Sequence, residues 1–370
     1  MGEKTDLSGL TLAEKVGQLF FIGISGTELD DATKSLLDDV LPGGICLFAR
    51  NIRDARQTRE LLDRIREYLS VLPFLSIDQE GGLVDRLRRI MTPMPAASKM
   101  RTATDAGELG SSIGETLRIL GFNMDFAPVV DVVDDERMQH QNGLLSRTFG
   151  RSKNDVALFA GAFLDQLQSH GILGCLKHFP GLGASQVDSH EELPVVDIAE
   201  NEMTGIDLSP YRHLLSEANV PAVMVAHAAF PKSKLQETGQ NGKLLPASLS
   251  HNFVTNLLRG ELGFNGLVIT DDLEMGAIIK NYGVGEACKM AVIAGADMLA
   301  ICADPAAIRE GYQAVVGAVR SGKISADRLD ESLARIAVAK ALLSDPSPFD
   351  AARLGRLSDE IAAFNGELGV

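Results

Sequence analysis

The chain has 370 residues, 45% of them apolar and 23% charged, with few aromatics and no tryptophan, the composition of a globular α/β protein long enough for one large core. A formal net charge of −15 argues against nucleic acid or an anionic membrane as partner, because either needs a basic patch, and points to a small or neutral substrate. The four cysteines, Cys46, Cys175, Cys288 and Cys302, are far apart and mostly set in apolar runs, so buried free thiols are expected in place of a disulfide framework or a zinc site.

The N-terminal stretch MGEKTDLSGL has no apolar run followed by small residues, and no segment reaches the roughly 18 apolar residues that span a bilayer. A cytoplasmic protein is expected. The first candidate strands are LFFIG (19–23) and GICLF (44–48). The third, FLSI (74–77), runs into Asp78-Gln79-Glu80-Gly81-Gly82, with Arg86 and Arg88 beyond. Two carboxylates there read either as a charged turn with arginine partners or as part of a site. The fourth strand, NMDFA (123–127), precedes a helix for which Asn154 is the expected cap. Its residues Val156, Phe159, Ala160, Phe163, Leu164 and Leu167 share one face, and Gly171 ends it.

The fifth strand is placed at 172–177 (ILGCLK), leading into Lys177-His178-Phe179-Pro180-Gly181 and then a long loop with Asp188-Ser189-His190. A lone lysine is usually a surface residue and a lone histidine a satisfied structural one, but their clustering here favours chemistry. An aspartate two residues before a histidine can hydrogen-bond the imidazole, fix its tautomer and favour its charged form. The sixth strand, 222–225 (AVMV), is followed by His227. The seventh, 266–270 (GLVIT), ends in Asp271-Asp272-Leu273-Glu274, a nucleophile or metal site on one reading and a decorated helix N-terminus on the other. Spacing alone does not separate Asp271 from Asp272. Asp297 begins the eighth strand, 297–301 (DMLAI), on the opposite face, where a structural role is expected. Asp304-Pro305 opens a helix with Ile308, Val315, Val316 and Val319 inward and Gly322 after it. A further helix runs from about Ser325 to Leu343, and a polar tail follows from Pro346, as a strap or frayed.

Eight strand–helix units favour a single (β/α)8 TIM-type barrel over a doubly wound open sheet. Residues 1–345 are expected to form the barrel and 346–370 a C-terminal tail, with no second domain expected. The connections after strands three (about 78–108) and five (about 178–206) are long, and in a barrel they belong to the catalytic face. Gly181-Leu182-Gly183 and Pro42-Gly43-Gly44 lack the spacing of a phosphate loop. No cofactor is expected.

Taken together, PGGICLFARNI (42–52), IDQEGGLVDRL (77–87), NMDFAPVVDV (123–132), SRTFG (146–150), KHFPGLGASQVDSHEELP (177–194), VMVAHAAFP (223–231), PASLS (246–250), GLVITDDLEMGAI (266–278) and AGADML (294–299) resemble the glycoside hydrolase family 3 β-N-acetylglucosaminidases of bacterial cell-wall recycling. The resemblance implies a retaining exo-glycosidase releasing terminal N-acetylglucosamine, with muropeptides as natural substrates. It implies that Asp271 is the nucleophile, His190 the acid/base and Asp188 its orienting partner. By the same resemblance Asp78, Arg86, Arg147, Lys177 and His178 bind the sugar. Leu83 and Leu182 depart from the pattern, which often has Arg and His there, so altered loop packing or leaving-group preference is expected. Because His190 lies far from any strand, it is expected to reach the substrate only on loop closure.

Three other readings use the same residues. A metal-dependent barrel hydrolase would take His178, Asp188, His190, His227 and Asp271 as ligands. A Schiff-base enzyme would use Lys177. A sugar-binding barrel without turnover would keep the cleft alone.

Overall fold

Eight parallel strands, each an almost continuously buried run, form the centre of the molecule: β1 (Phe20–Gly23), β2 (Gly44–Leu47), β3 (Phe74–Ile77), β4 (Met124–Asp125), β5 (Cys175–Phe179), β6 (Ala222–Val225), β7 (Leu267–Asp272) and β8 (Met298–Ile301). Burial on both faces is what a parallel sheet wrapped in helices requires. The computed structural model describes residues 7–140, 142–186, 193–239 and 242–370.

The hydrogen-bonded order is β4-β3-β2-β1-β8-β7-β6-β5. Parallel bridges Met124↔Leu173 and Val129↔Lys177 bring the two ends together, supported by Cys175 N donating to Ala127 O at 2.8 Å and Val130 N to Lys177 O at 2.7 Å. The sheet is therefore a (β/α)8 barrel. Phe21 packs on Phe74 and Phe126 inside it, with ring centroids 5.7 and 5.2 Å apart. At the N-terminal end Lys340 reaches in, fully buried, donating to Gln18 Oε1 at 2.7 Å.

The strands lie close to their expected positions, except that β5 begins later and continues through Phe179. Phe179 pairs with Val225, and Asp131 takes the His178 amide and ring, so Lys177 and His178 lie on the strand itself. β7 likewise extends to include Asp271 and Asp272. The helix Lys153–Ser169 buries the expected face, but its cap is Ser152 and not Asn154. Both residue types cap well; the Ser152 hydroxyl comes first, on extended backbone, and takes Asp155 N at 3.1 Å. Asp304 caps Pro305–Arg320 and Ser325 caps Ala326–Ala341, as expected. The segment after Pro346 is a strap: the helix Ala351–Leu368, capped by Asp350, buries Leu354, Leu357, Ile361 and Phe364. Arg353 fastens it to Glu115 through two bonds of 2.6 and 2.7 Å.

Asp297 is buried at the opening of β8, where Arg259, Arg328, Arg335 and Ser332 converge on it. This is the structural role its position implies. All four cysteines are buried and free.

Candidate active site

A cavity of about 190 Å³ opens at the C-terminal ends of the strands. Asp78, Arg86, Arg147, Lys177, His178 and Asp271, all singled out in the sequence, line it together. They come from different strands and loops, and the barrel's convergence gathers them.

Lys177 is the centre of the polar floor. It is almost wholly buried, and its Nζ lies 2.7 Å from Asp78 Oδ1 and 2.6 Å from Glu80 Oε1. Arg147 grips Glu80 with two parallel bonds of 2.8 Å, and Arg86 Nη2 stands 3.5 Å from Asp78 Oδ2. Burial alone would push both carboxyls up, but Lys177, with Arg86 beside Asp78 and Arg147 beside Glu80, holds both below the ordinary carboxylate range. Burial works against the Lys177 ammonium too, and Asp78 and Glu80 reverse it, raising its pKa. A lysine held charged this way is a poor amine nucleophile, which removes the main requirement of the Schiff-base reading.

His178 is oriented by Asp131, whose Oδ2 lies 2.7 Å from Nδ1 and whose Oδ1 accepts the Leu182 amide at 2.7 Å. Asp131 thus fixes the ring and the turn after it at once. His227 is fully buried, and its Nε2 can only donate to the Asp272 carbonyl oxygen, 3.0 Å away. Burial lowers its pKa, so it is the neutral Nε2–H tautomer, with Nδ1 accepting from Ser248 Oγ at 2.7 Å. Both ring nitrogens are engaged. His227 is therefore not available to the metal-ligand set.

Asp271 accepts the Asp272 amide on Oδ1 at 2.9 Å. Asp272 is pushed up to about 7 by burial, helped by Glu274 and Asp271. Asp188 and His190 lie outside the described residues, as does the expected loop closure. The flanks of their loop are held at both ends. Asn142 Nδ2 donates to Gly183 O and Ser185 O at 3.2 and 2.8 Å, and Val196 N donates to Ala229 O at 2.8 Å.

Glu80, Asp125, Asp131 and Asn142 belong to this arrangement but were not selected as site residues. Glu80 had a readable signal, since residues two apart on extended chain share a side. Asp125 orients the Asp78–Glu80 turn by accepting Gln79 N at 2.9 Å; nothing in its sequence surroundings marks it. Leu83 is 64% exposed, whereas Leu182 is buried and lines the cavity. Of the two departures from the family pattern, Leu182 is the one that touches the site.

The sequence matches the family model described as glycosyl hydrolase family 3 N terminal domain over residues 11–339. A β-hexosaminidase of Pseudomonas aeruginosa is 34% identical over 294 residues, covering 77% of this chain and 82% of that protein. β-Hexosaminidase A of Pseudoalteromonas piscicida is 32% identical over 330 residues, 82% of this chain but 54% of that longer protein. Among solved structures, a family 3 β-N-acetylglucosaminidase from a Paenibacillus species superposes with a TM-score of 0.84 at 35% identity, over 96% of this chain and 69% of that one.

Proposed function

The chain belongs to glycosyl hydrolase family 3 and is a glycoside hydrolase of the β-N-acetylhexosaminidase group; from that premise we propose that it is a retaining exo-β-N-acetylglucosaminidase. It releases terminal N-acetylglucosamine from β-linked substrates, with cell-wall muropeptides as the natural class and the cytoplasm as the setting. No helix among the described residues is long and apolar enough to cross a membrane.

In this reading the Asp271 carboxylate attacks the anomeric carbon as the bond to the leaving oxygen breaks, and His190 gives that oxygen its proton. Water then attacks the glycosyl ester, passing a proton back to His190 and freeing Asp271. Asp188 orients the imidazole. An imidazole here replaces the second carboxyl of the general two-carboxylate scheme.

The observation that carries the reading is the shared cavity. Asp271 lines the same space as a floor of fixed charges, Asp78, Lys177 and Arg86, suited to bind the hydroxyls of a neutral sugar. Asp78, kept anionic by Lys177 and Arg86, is an acceptor; Arg147 and His178 complete the wall.

Asp271→Asn should fold normally and lose turnover of an aryl N-acetyl-β-glucosaminide by on the order of 10³-fold or more. Proton NMR of the wild-type reaction should show the β-anomer of N-acetylglucosamine first. Full turnover in the variant, or initial α-anomer, would overturn the proposal.

A further inference from the structure

Two cysteines occupy the floor of the cavity and have no part in the chemistry above. Cys46 lies on β2 and Cys302 directly after β8, and both line the cavity. The strand between them is β1. In the register, Gly23 of β1 stands beside Cys46, and Ile22 beside both Ile45 and Ile301, so Cys46, Gly23 and Cys302 form one row across three strands. Gly23 has no side chain to separate its neighbours. A Cβ there would fall 1.9 Å from the Cys302 carbonyl oxygen, which reserves the position for glycine. Across that gap the Cys46 and Cys302 side chains both face the cavity floor.

The backbones are too far apart for a disulfide. Strands two places apart lie about 10 Å from each other, and a disulfide tolerates Cα separations only to about 7 Å. A metal ion between the sulfurs needs less. Two metal–sulfur bonds of about 2.3 Å, placed in line, span roughly 4.6 Å, a gap that two side chains reaching inward from strands about 10 Å apart can close. Thiolates select soft cations.

We propose that Cys46 and Cys302 form a two-thiolate site in the cavity floor for a soft cation of the copper(I), silver(I) or mercury(II) class. Each thiol gives its proton to water as its bond to the metal forms, and no electron is transferred. The Cys302 thiol is raised well above its ordinary value by the neighbouring Cys46, by burial, and by Asp272 and Asp78. These carboxyls also favour a cation. Cys302 lines the same cavity as Asp271 and Asp272, so an ion held here disturbs the nucleophile and occupies the space of the sugar ring.

Silver nitrate is the probe. Equilibrium dialysis of the purified protein should show one tightly held silver ion per chain, and turnover of the aryl substrate should fall in step with its binding. Excess N-acetylglucosamine should slow the inhibition, and added small thiol should reverse it. Cys46→Ala should keep its basal turnover and bind silver at least about tenfold more weakly, with Cys302→Ser as the second ligand variant. Cys288→Ser, altering a thiol outside the cavity, should behave as wild type. A Cys46→Ala protein that still holds one silver ion tightly and is equally inhibited would overturn the proposal. Dialysis reads the site without turnover, so a wild type inactive on the aryl substrate would count against the assigned activity alone.

Discussion

Lys177 has no partner-free state available to it, and that makes it the most sensitive single residue in the site. Removing it takes the shared ammonium from two buried carboxylates, leaving Asp78 with Arg86 3.5 Å away and Glu80 with Arg147 alone. Lys177→Met should destabilise the fold by about 3–5 kcal/mol and abolish turnover, read from urea unfolding and the aryl-substrate assay. The pH dependence follows from the direction of each shift. Asp78 and Glu80 are depressed, so their stabilisation is present above their unfolded values, near ~4, and is lost as pH falls through the folded values. Lys177 is raised, so its stabilisation is present below about 10.4 and is lost only as pH rises past its folded value. Wild-type melting temperature should therefore drop steeply below about pH 4, and the variant should show a smaller acid step. At this scale the sequence was informative where a polar side chain closes an apolar run. Asp78 follows β3 directly, Lys177 is the middle residue of β5 and Asp271 lies in the C-terminal half of β7, whereas Asp131 owes its place to a His178 contact 47 residues away, which no local pattern encodes.

Among the elements, the strands were legible because each is a buried apolar run that a closed parallel sheet demands. Their ends were less so. β5 continues past Lys177 because Asp131 and the Val225 register hold it extended, and both are tertiary contacts. The cap at Ser152 was missed because two good capping residues lie two positions apart. The loop after β5 illustrates a different dependence. Its near flank, residues 182–185, is gripped by Asn142, a buried amide whose Oδ1 also accepts the Leu144 amide at 3.1 Å. Asn142→Ala should lose about 1–3 kcal/mol of stability. It should also lower kcat more than it changes KM, because under the proposed mechanism the acid/base residue His190 belongs to the loop whose flank would be less well held. Faster amide exchange at residues 182–185 would be the matching signature; unchanged exchange there would separate Asn142 from the loop.

For the whole molecule, the barrel was readable from the count and spacing of its strands, but its filling was not. Lys340 is the clearest case: helical spacing alone gives no hint that an ammonium enters the barrel's base beside Phe74, 5.5 Å from the ring centroid. Burial pushes it down to about 7. The unfolded chain then binds more protons than the native one between about pH 7 and 10.4, so this residue makes stability rise with pH across that window. Lys340→Met should flatten the rise, measured as the urea midpoint at pH 7 and pH 9. A slope identical in both proteins would show that the native lysine keeps its proton.

The pairing of β1 with β8, Phe20 beside Leu299, also determines when the protein can finish folding. During synthesis the apolar edge Phe20-Phe21-Ile22 is made early, and its partner emerges only after most of the chain. Contacts so distant in sequence form slowly, and an unpaired apolar edge is a template for aggregation until they do. A fragment ending before β8, residues 1–296, should accumulate in the insoluble fraction. One ending at residue 345, which retains the β1–β8 seam, should remain largely soluble.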